Sequence, residues 1–469
     1  MVKKIPLFSL VLLIVAAIDS IRNLPASALF GPALIFFFLF SAVIFLIPTS
    51  LVAAELSATF PERGGVYHWV KMAFGEKSAM LAIWLQWINT MVWYPTILSF
   101  IAGTAAYLIY PELAENAHYL IAVILSVFWG LTIVNLFGLH ISTKVNSFCA
   151  VIGMMFPMVL LVVLGAIWFF SGQPLQIDVT RETVFPTLSH SSSWISLVAI
   201  MASFLGMELA GVHVNDIRDP QTNFPKAILY SCLFLILTML LGSLSIAFVL
   251  PAKEINLVAG VMQVFDNFFT VFHLKWCTPI LALFIVIGSV GGITNWLISP
   301  AKGLLHATEF GFIPPFFSKK NRHGVASRIL ITQAVLVSLF CVAFLFLPSI
   351  NSFYWFLTAL STELYMLMYV LMFLAALSLH HKYINRPKVF KIPGKDIGMW
   401  TTCLLGLFGC FATLVIGFFP PDNIRISSIG KYASMIGLGN VLMVSPVFLF
   451  YLYKRRKDLS TQIISKKKK

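Results

Sequence analysis

Charge is scarce in this sequence. Asp, Glu, Lys and Arg together make up 11% of 469 residues, while 59% are hydrophobic and the mean hydropathy is +0.91. Soluble domains carry roughly 25% charged residues, and a water-solvated fold of this length has nowhere to hide so much apolar surface. The shortage excludes a soluble protein and leaves lipid as the solvent. Cysteine is sparse too. Its six copies (Cys149, Cys232, Cys277, Cys341, Cys403, Cys410) all fall in apolar segments without close metal-ligand spacing, so they read as small packing residues, with no disulfide framework and no zinc site. Also missing are a phosphate-binding glycine loop, a paired-histidine metalloprotease motif and a serine elbow. Loops are too short for a soluble catalytic domain. The expectation is a non-enzyme with no metal and no cofactor, in which ATP-driven transport would need a nucleotide domain from another chain.

What is present is a series of hydrophobic runs, each near the roughly 18–20 residues that cross a bilayer core as helix. About twelve spans are predicted, over 6–30, 33–58, 78–108, 118–138, 142–171, 192–214, 225–250, 276–299, 326–348, 352–378, 397–419 and 433–453. The start, Met1-Val2-Lys3-Lys4, leads into the first span with no small-residue cleavage site, so it reads as a span and not as a signal peptide. Between spans, 257–269 is amphipathic and is expected to lie on the membrane surface. A basic tail, 454–469, follows the last span.

The formal net charge of +14 is placed asymmetrically. Of 32 Lys and Arg, Arg181, Lys253, Lys275, Arg425 and Lys431 fall in alternate loops of one parity and Arg22 lies inside a span, which leaves 26 on the other side. That bias is the positive-inside pattern, so both termini are predicted to be cytoplasmic in a multi-pass inner-membrane protein. The excess reports orientation and affinity for anionic headgroups, not nucleic acid.

Two spans are interrupted. Span one contains Asp19, Ser20, Arg22, Asn23 and Pro25 in mid-segment; span six contains Ser203-Phe204-Leu205-Gly206-Met207-Glu208. Lipid tolerates broken helices only where the break lines a cavity, and matched breaks in two halves point to a transporter site. Spans one to five (about 6–171) and six to ten (about 192–378) are expected to form inverted repeats, with two peripheral helices over about 397–453. A charge at the bilayer centre costs about 2.5–3.5 kcal/mol on insertion scales, so Asp19, Arg22, Glu55, Glu208 and Glu363 each need a reason. Glu208 is read as a ligand for a substrate ammonium or as a proton carrier, against a structural protonated acid. Asp19 and Arg22, three residues apart, either pair on one helical face or face the cavity and match the opposite charges of a zwitterion, with Arg22 forking onto its carboxylate. Glu55 is expected to snorkel or cap an inner gate. Glu363 is a proton carrier or the partner of a charge on another span. Trp296, after Gly291 and Gly292, could close over a bound cation, although any one of eleven Trp is more often a packing residue; the same holds for Trp84, Trp87 and Trp93. His380-His381 reads as a solvated basic patch.

Several separated motifs resemble the amino acid–polyamine–organocation superfamily, most closely its bacterial glutamate/γ-aminobutyrate antiporter branch. They are Ala54 to Tyr67 followed by Ala73-Phe74-Gly75, then Phe204-Leu205-Gly206-Met207-Glu208 with Asp219-Pro220 and Asn223 to Ala227. For the narrower branch they are Gln86-Trp87, Val92-Trp93-Tyr94-Pro95, and Trp296 to Leu305 leading to Pro314-Pro315-Phe316. The resemblance implies substrate held at the two breaks, an acid at Glu208 that senses substrate or proton, and an aromatic gate at Trp296. It also departs from the family pattern. Gly-Ser-Gly in span one is replaced by Asp19-Ser20-Ile21-Arg22, which substitutes side chains for a backbone cradle, and the lysine tail is too short for the branch's C-terminal plug. The resulting expectation is a secondary transporter of small amino acids or amines, foremost an antiporter. The alternative is a proton-coupled amino acid symporter, and the rival classes are a channel, a membrane receptor or a membrane-embedded enzyme. The candidate substrate or gating residues are Asp19, Ser20, Arg22, Asn23, Ser203, Phe204, Gly206, Glu208 and Trp296. Glu208 and Glu363 are the candidates for proton coupling, and Glu55 for the inner gate.

Overall fold

A computed structural model describes residues 5–60, 65–138, 149, 151–186, 191–208, 217–309, 311–342, 349–383, 390–424 and 428–467. Among these the chain is all helical, and extended pairing is limited to one isolated parallel bridge between Ile5 and Ile217. Seven helical stretches are long and apolar enough to cross a membrane by length and composition. They are Gly31–Thr59, Ala117–Leu136, Val151–Phe170, Thr222–Val249, Ile350–Lys382, Lys395–Ile416 and Ile429–Leu459, with Cys277–Ile293 and Ser327–Val342 as shorter apolar helices. Each of the twelve predicted spans coincides with helix. The parts of spans five, six and nine at 142–148 with 150, at 209–214 and at 343–348 lie outside the described residues, as do Pro61 to Gly64 of the Ala54-to-Tyr67 motif. The other predicted spans miss the length-and-hydropathy criterion for a physical reason: spans one and six are cut short, and span three (Glu76–Ala106) carries polar residues on a face turned inward.

The solvent of the outer surface is legible in side-chain exposure. Leu229, Leu233, Leu237 and Leu241 recur every four residues along Pro220–Val249, and all are exposed. Such a stripe is stable facing acyl chains and costly facing water. Inside, close crossings rely on glycine. A Cβ on Gly153 would lie 2.3 Å from the Gly288 Cα, and one on Gly288 would lie 2.4 Å from the Gly153 Cα. Spans five and eight therefore cross backbone to backbone, the small-residue mode of membrane helix packing. All six cysteines are free, and four are buried.

Two expectations change here, and the tail takes a form the sequence left open. The predicted surface helix is Gly260–Val271, but its apolar face (Val261, Met262, Val264, Phe265, Phe268, Phe269) is buried in protein. A Cβ on Gly260 would meet Pro25 at 3.0 Å, so this helix seats on the second half of broken span one. The tail is helical: a second helix, Pro446–Lys467, continues the last span beyond Tyr453. His380 is no solvated patch either, because its ring is mostly buried at the end of span ten (Ile350–Lys382), between Glu55 and Asp396.

Candidate functional site

Span one runs as helix over Leu7–Ile18, and Asp19 and Ser20 are then extended (ψ 123° and 106°). A 3-10 turn at Ile21–Asn23 and a short helix at Leu24–Ala28 follow. Pro25 suits the first turn of the second half, where its missing N–H would have had no helical partner anyway. Span six runs over Ser196–Ser203 and ends in a turn at Phe204. Gly206 has φ +96°, a conformation L side chains rarely adopt, with no atom within 4 Å of an added Cβ. The glycine is thus required by backbone shape rather than by crowding. The 3-10 turn and the second half of span one touch Ser196–Ser203, which brings the two breaks together.

Between them lies a cavity of about 130 Å³, many times the roughly 10–15 Å³ that a single water needs. The first break contributes Asp19, Ser20, Arg22 and Asn23 to its wall, span six contributes Ser203 and Gly206, span three Asn89, Thr90 and Trp93, and span eight Ser289, Gly292 and Trp296. Tyr365 of span ten completes the polar lining. Of the sequence candidates, seven thus line one cavity. Phe204, Glu208, Glu55 and Glu363 do not.

Asp19 and Arg22 are the two charged residues of the lining, 8% and 6% exposed. They form no ion pair with each other. The reason is local: helix ends at Ile18, so the three-residue spacing no longer places them on one face. Arg22 Nη1 donates to Thr96 Oγ1 at 2.7 Å, and the guanidinium stands 5.2 Å from the Trp93 ring centroid. Thr96 can accept because its own proton goes to the Trp93 carbonyl at 2.7 Å. Arg22 Nε and Asp19 Oδ1 have no partner. The other Asp19 oxygen is 3.4 Å from Thr238 Oγ1, whose proton has a nearer acceptor in the Phe234 carbonyl at 2.9 Å. Buried polar atoms are normally satisfied, so an acid and a base with free valences in one cavity can receive a solute of opposite charges.

Trp296 is held by a break in backbone bonding. Four residues on is Pro300, which has no N–H to give the Trp296 carbonyl, and the Tyr94 hydroxyl donates to that carbonyl instead at 2.8 Å. Its indole packs on Trp93, centroids 5.6 Å apart. Phe204 points away and packs edge-on against Phe38.

Glu208 is 2% exposed and lies behind the cavity wall. The Tyr365 hydroxyl donates to Oε1 at 2.6 Å, and the Tyr369 hydroxyl donates to Oε2. Tyr369 in turn accepts the Gly206 N–H at 2.9 Å, and Gln86 Nε2 is 3.5 Å from the Tyr365 oxygen. Tyr365, a residue of the cavity lining, therefore also bonds the buried carboxylate. Glu363 is fully buried elsewhere: Asn440 Nδ2 donates to Oε2, Oε1 is unpartnered, and the space beside it exists because residue 417 is glycine. Its contact on another span is this neutral amide, not a charge. Glu55, 3% exposed, does not snorkel. It accepts the Ile392 N–H at 2.7 Å, and its Oε1 is 3.4 Å from His380 Nδ1, while His380 Nε2 is 2.8 Å from Asp396. These contacts tie span two, span ten and the start of span eleven.

Sequence reasoning missed Tyr365, Tyr369, Asn89, Thr96, Thr238 and His380. A signal existed for the tyrosines, which are four residues apart and so share one face of span ten.

A profile for "Amino acid permease" matches residues 5–458. The chain is 38% identical to an uncharacterized transporter of Legionella pneumophila subsp. pneumophila over 97% of each chain. It is 29% identical to a glutamate/gamma-aminobutyrate antiporter of Lactococcus lactis subsp. lactis, covering 97% of this chain and 92% of the relative. A probable agmatine/putrescine antiporter of the same organism is 22% identical, over 84% of this chain and 83% of its own. With nearly its whole length matched and its broken helices meeting at a polar cavity, the chain belongs to the amino acid permease family.

Proposed function

We propose that the protein exchanges small amino acids, or an amino acid for an amine, by alternating access, binding one solute at a time between the breaks of spans one and six. The observation that carries this reading is the pair of unsatisfied charges in the cavity wall, Asp19 Oδ1 and Arg22 Nε. In it a substrate ammonium meets Asp19 and a carboxylate meets Arg22, while Trp93 and Trp296 cover the remainder. A charge-assisted hydrogen bond contributes about 1.5–3 kcal/mol. An amine without a carboxylate leaves Arg22 unpaired and therefore binds more weakly than the amino acid. The antiporter names of the relatives favour exchange over one-way uptake.

In the same reading the repeats, about 6–171 and 192–378, rock about the cavity. The bias of basic residues toward one set of loops supports cytoplasmic termini in an inner-membrane protein. Glu208 relays the state of the cavity through Tyr365, with Glu363 as a second site for a proton, and Glu55 closes the inner side through Ile392 and His380. The test is counterflow into proteoliposomes: preloading with unlabelled amino acid is expected to accelerate entry of labelled amino acid. Entry that ignores preloading and does not saturate contradicts exchange.

A further inference from the structure

A second concavity, of about 890 Å³, opens far from the cavity, where the start of span three meets the helix after the last span. Its wall has two chemistries. Lys77, Lys454 and Arg455 supply cations, while Phe74, Phe448, Leu452 and Leu459 supply apolar surface that is exposed, or in Phe74 nearly half exposed.

The cations are not equivalent. Lys454 is fixed, since its ammonium donates to Glu76 and stands 3.9 Å from the Phe312 ring centroid. That donation holds the Glu76 carboxyl below the ordinary carboxylate range, and Lys71, 3.7 Å away, contributes to the same acid. The Tyr451 hydroxyl donates to the Lys77 carbonyl at 2.6 Å, which locks the two helices across the groove. Glu76 is thereby consumed by Lys454 and Lys71. The side chains of Lys77 and Arg455 have no acidic partner among the described residues, and the remaining acid of the wall is Asp458.

The position of this groove selects its occupant. The helix that walls it passes from lipid-exposed Phe448 and Leu449 to the basic run 454–457 within two turns. This is the depth at which a bilayer changes from acyl chains to phosphates. A soluble phosphate would use the cations and leave the aromatic and leucine wall exposed, whereas a phospholipid uses both. We propose that the groove is a binding site for one anionic phospholipid, its phosphate between Lys77 and Arg455 and its glycerol and upper acyl carbons against Phe448 and Leu452.

Basic residues near an anionic membrane surface each contribute about fivefold in affinity. Thermal unfolding of the purified full-length protein in detergent tests the site, with phosphatidylglycerol, phosphatidylcholine or soluble glycerol phosphate added. Phosphatidylglycerol is expected to raise the unfolding temperature, and the other two are not. Half-saturation should need about fivefold more phosphatidylglycerol in Lys77→Gln or Arg455→Gln, and roughly 25-fold more in the double variant. Lys253→Gln, in a distant loop, should change nothing. Should the double variant fail to fold, the two single variants carry the comparison. An equal response to phosphatidylcholine, or unchanged half-saturation in the variants, overturns the site. A shift reproduced by glycerol phosphate at the same concentration assigns the groove to soluble phosphate and also overturns the lipid.

Discussion

Arg22 keeps a guanidinium inside the bilayer because Thr96, the Trp93 face and the cavity share its charge. Arg22→Gln leaves the cavity wall polar but removes the fork, so solute affinity is expected to fall roughly 10- to 100-fold, measured by equilibrium binding to protein that still inserts; unchanged affinity would remove Arg22 from the site. Gly206→Ala separates conformation from crowding. No neighbour obstructs the new methyl, yet φ +96° is left-handed, so the expected cost is strain of about 1–3 kcal/mol, read as a lowered unfolding temperature. A variant as stable as wild type would show that the turn is not held. For Glu208→Gln the amide oxygen still accepts from one tyrosine, but its N–H group meets the other hydroxyl where a carboxylate oxygen now accepts, so one of the two bonds loses its acceptor. Exchange is expected to fall at least about tenfold, the lower end for a lost charge-assisted bond, and exchange at the wild-type rate discards Glu208 as a relay.

At the scale of elements, the Gly153–Gly288 crossing leaves no flexible atom to yield, because the contacts of both are with backbone. Gly288→Ala should force spans five and eight apart at about 1–3 kcal/mol, visible as thermal destabilisation larger than that of Gly430→Ala, whose Cβ meets nothing. The helical spans and both interruptions were legible in the sequence because lipid imposes one rule, a long apolar run, and any polar cluster within it stands out. Partners across space were not legible. Of the two readings of Asp19 and Arg22, the ion pair rests on helical spacing, and the helix stops one residue before Asp19. His380 looked solvated because its neighbours Glu55 and Asp396 are 325 and 16 residues away. Likewise Thr96 serves Arg22 across 74 residues, and hydropathy carries no trace of that distance. The tie between Glu76 and Lys454 has a pH dependence of definite sign. Because the folded carboxyl titrates below its ordinary range, the tie's contribution is complete above that range and is lost as pH falls through the depressed value.

For the molecule as a whole, two broken helices meet at one polar hollow, and in the proposed function that hollow is where the solute binds while the surrounding helices remain lipid-solvated. The basic groove between the start of span three and the helix after the last span would fasten the protein to one membrane surface, independently of the hollow. Substrate protection at Ser203, a small residue of the cavity wall, measures occupancy of the hollow most directly. With the six native cysteines replaced, Ser203→Cys in proteoliposomes is reacted with a small thiol reagent while amino acid is titrated. Labelling is expected to slow as amino acid is added, with a half-point equal to that for counterflow. Labelling that proceeds at the same rate when transport is saturated would place the solute elsewhere and contradict binding between the two breaks.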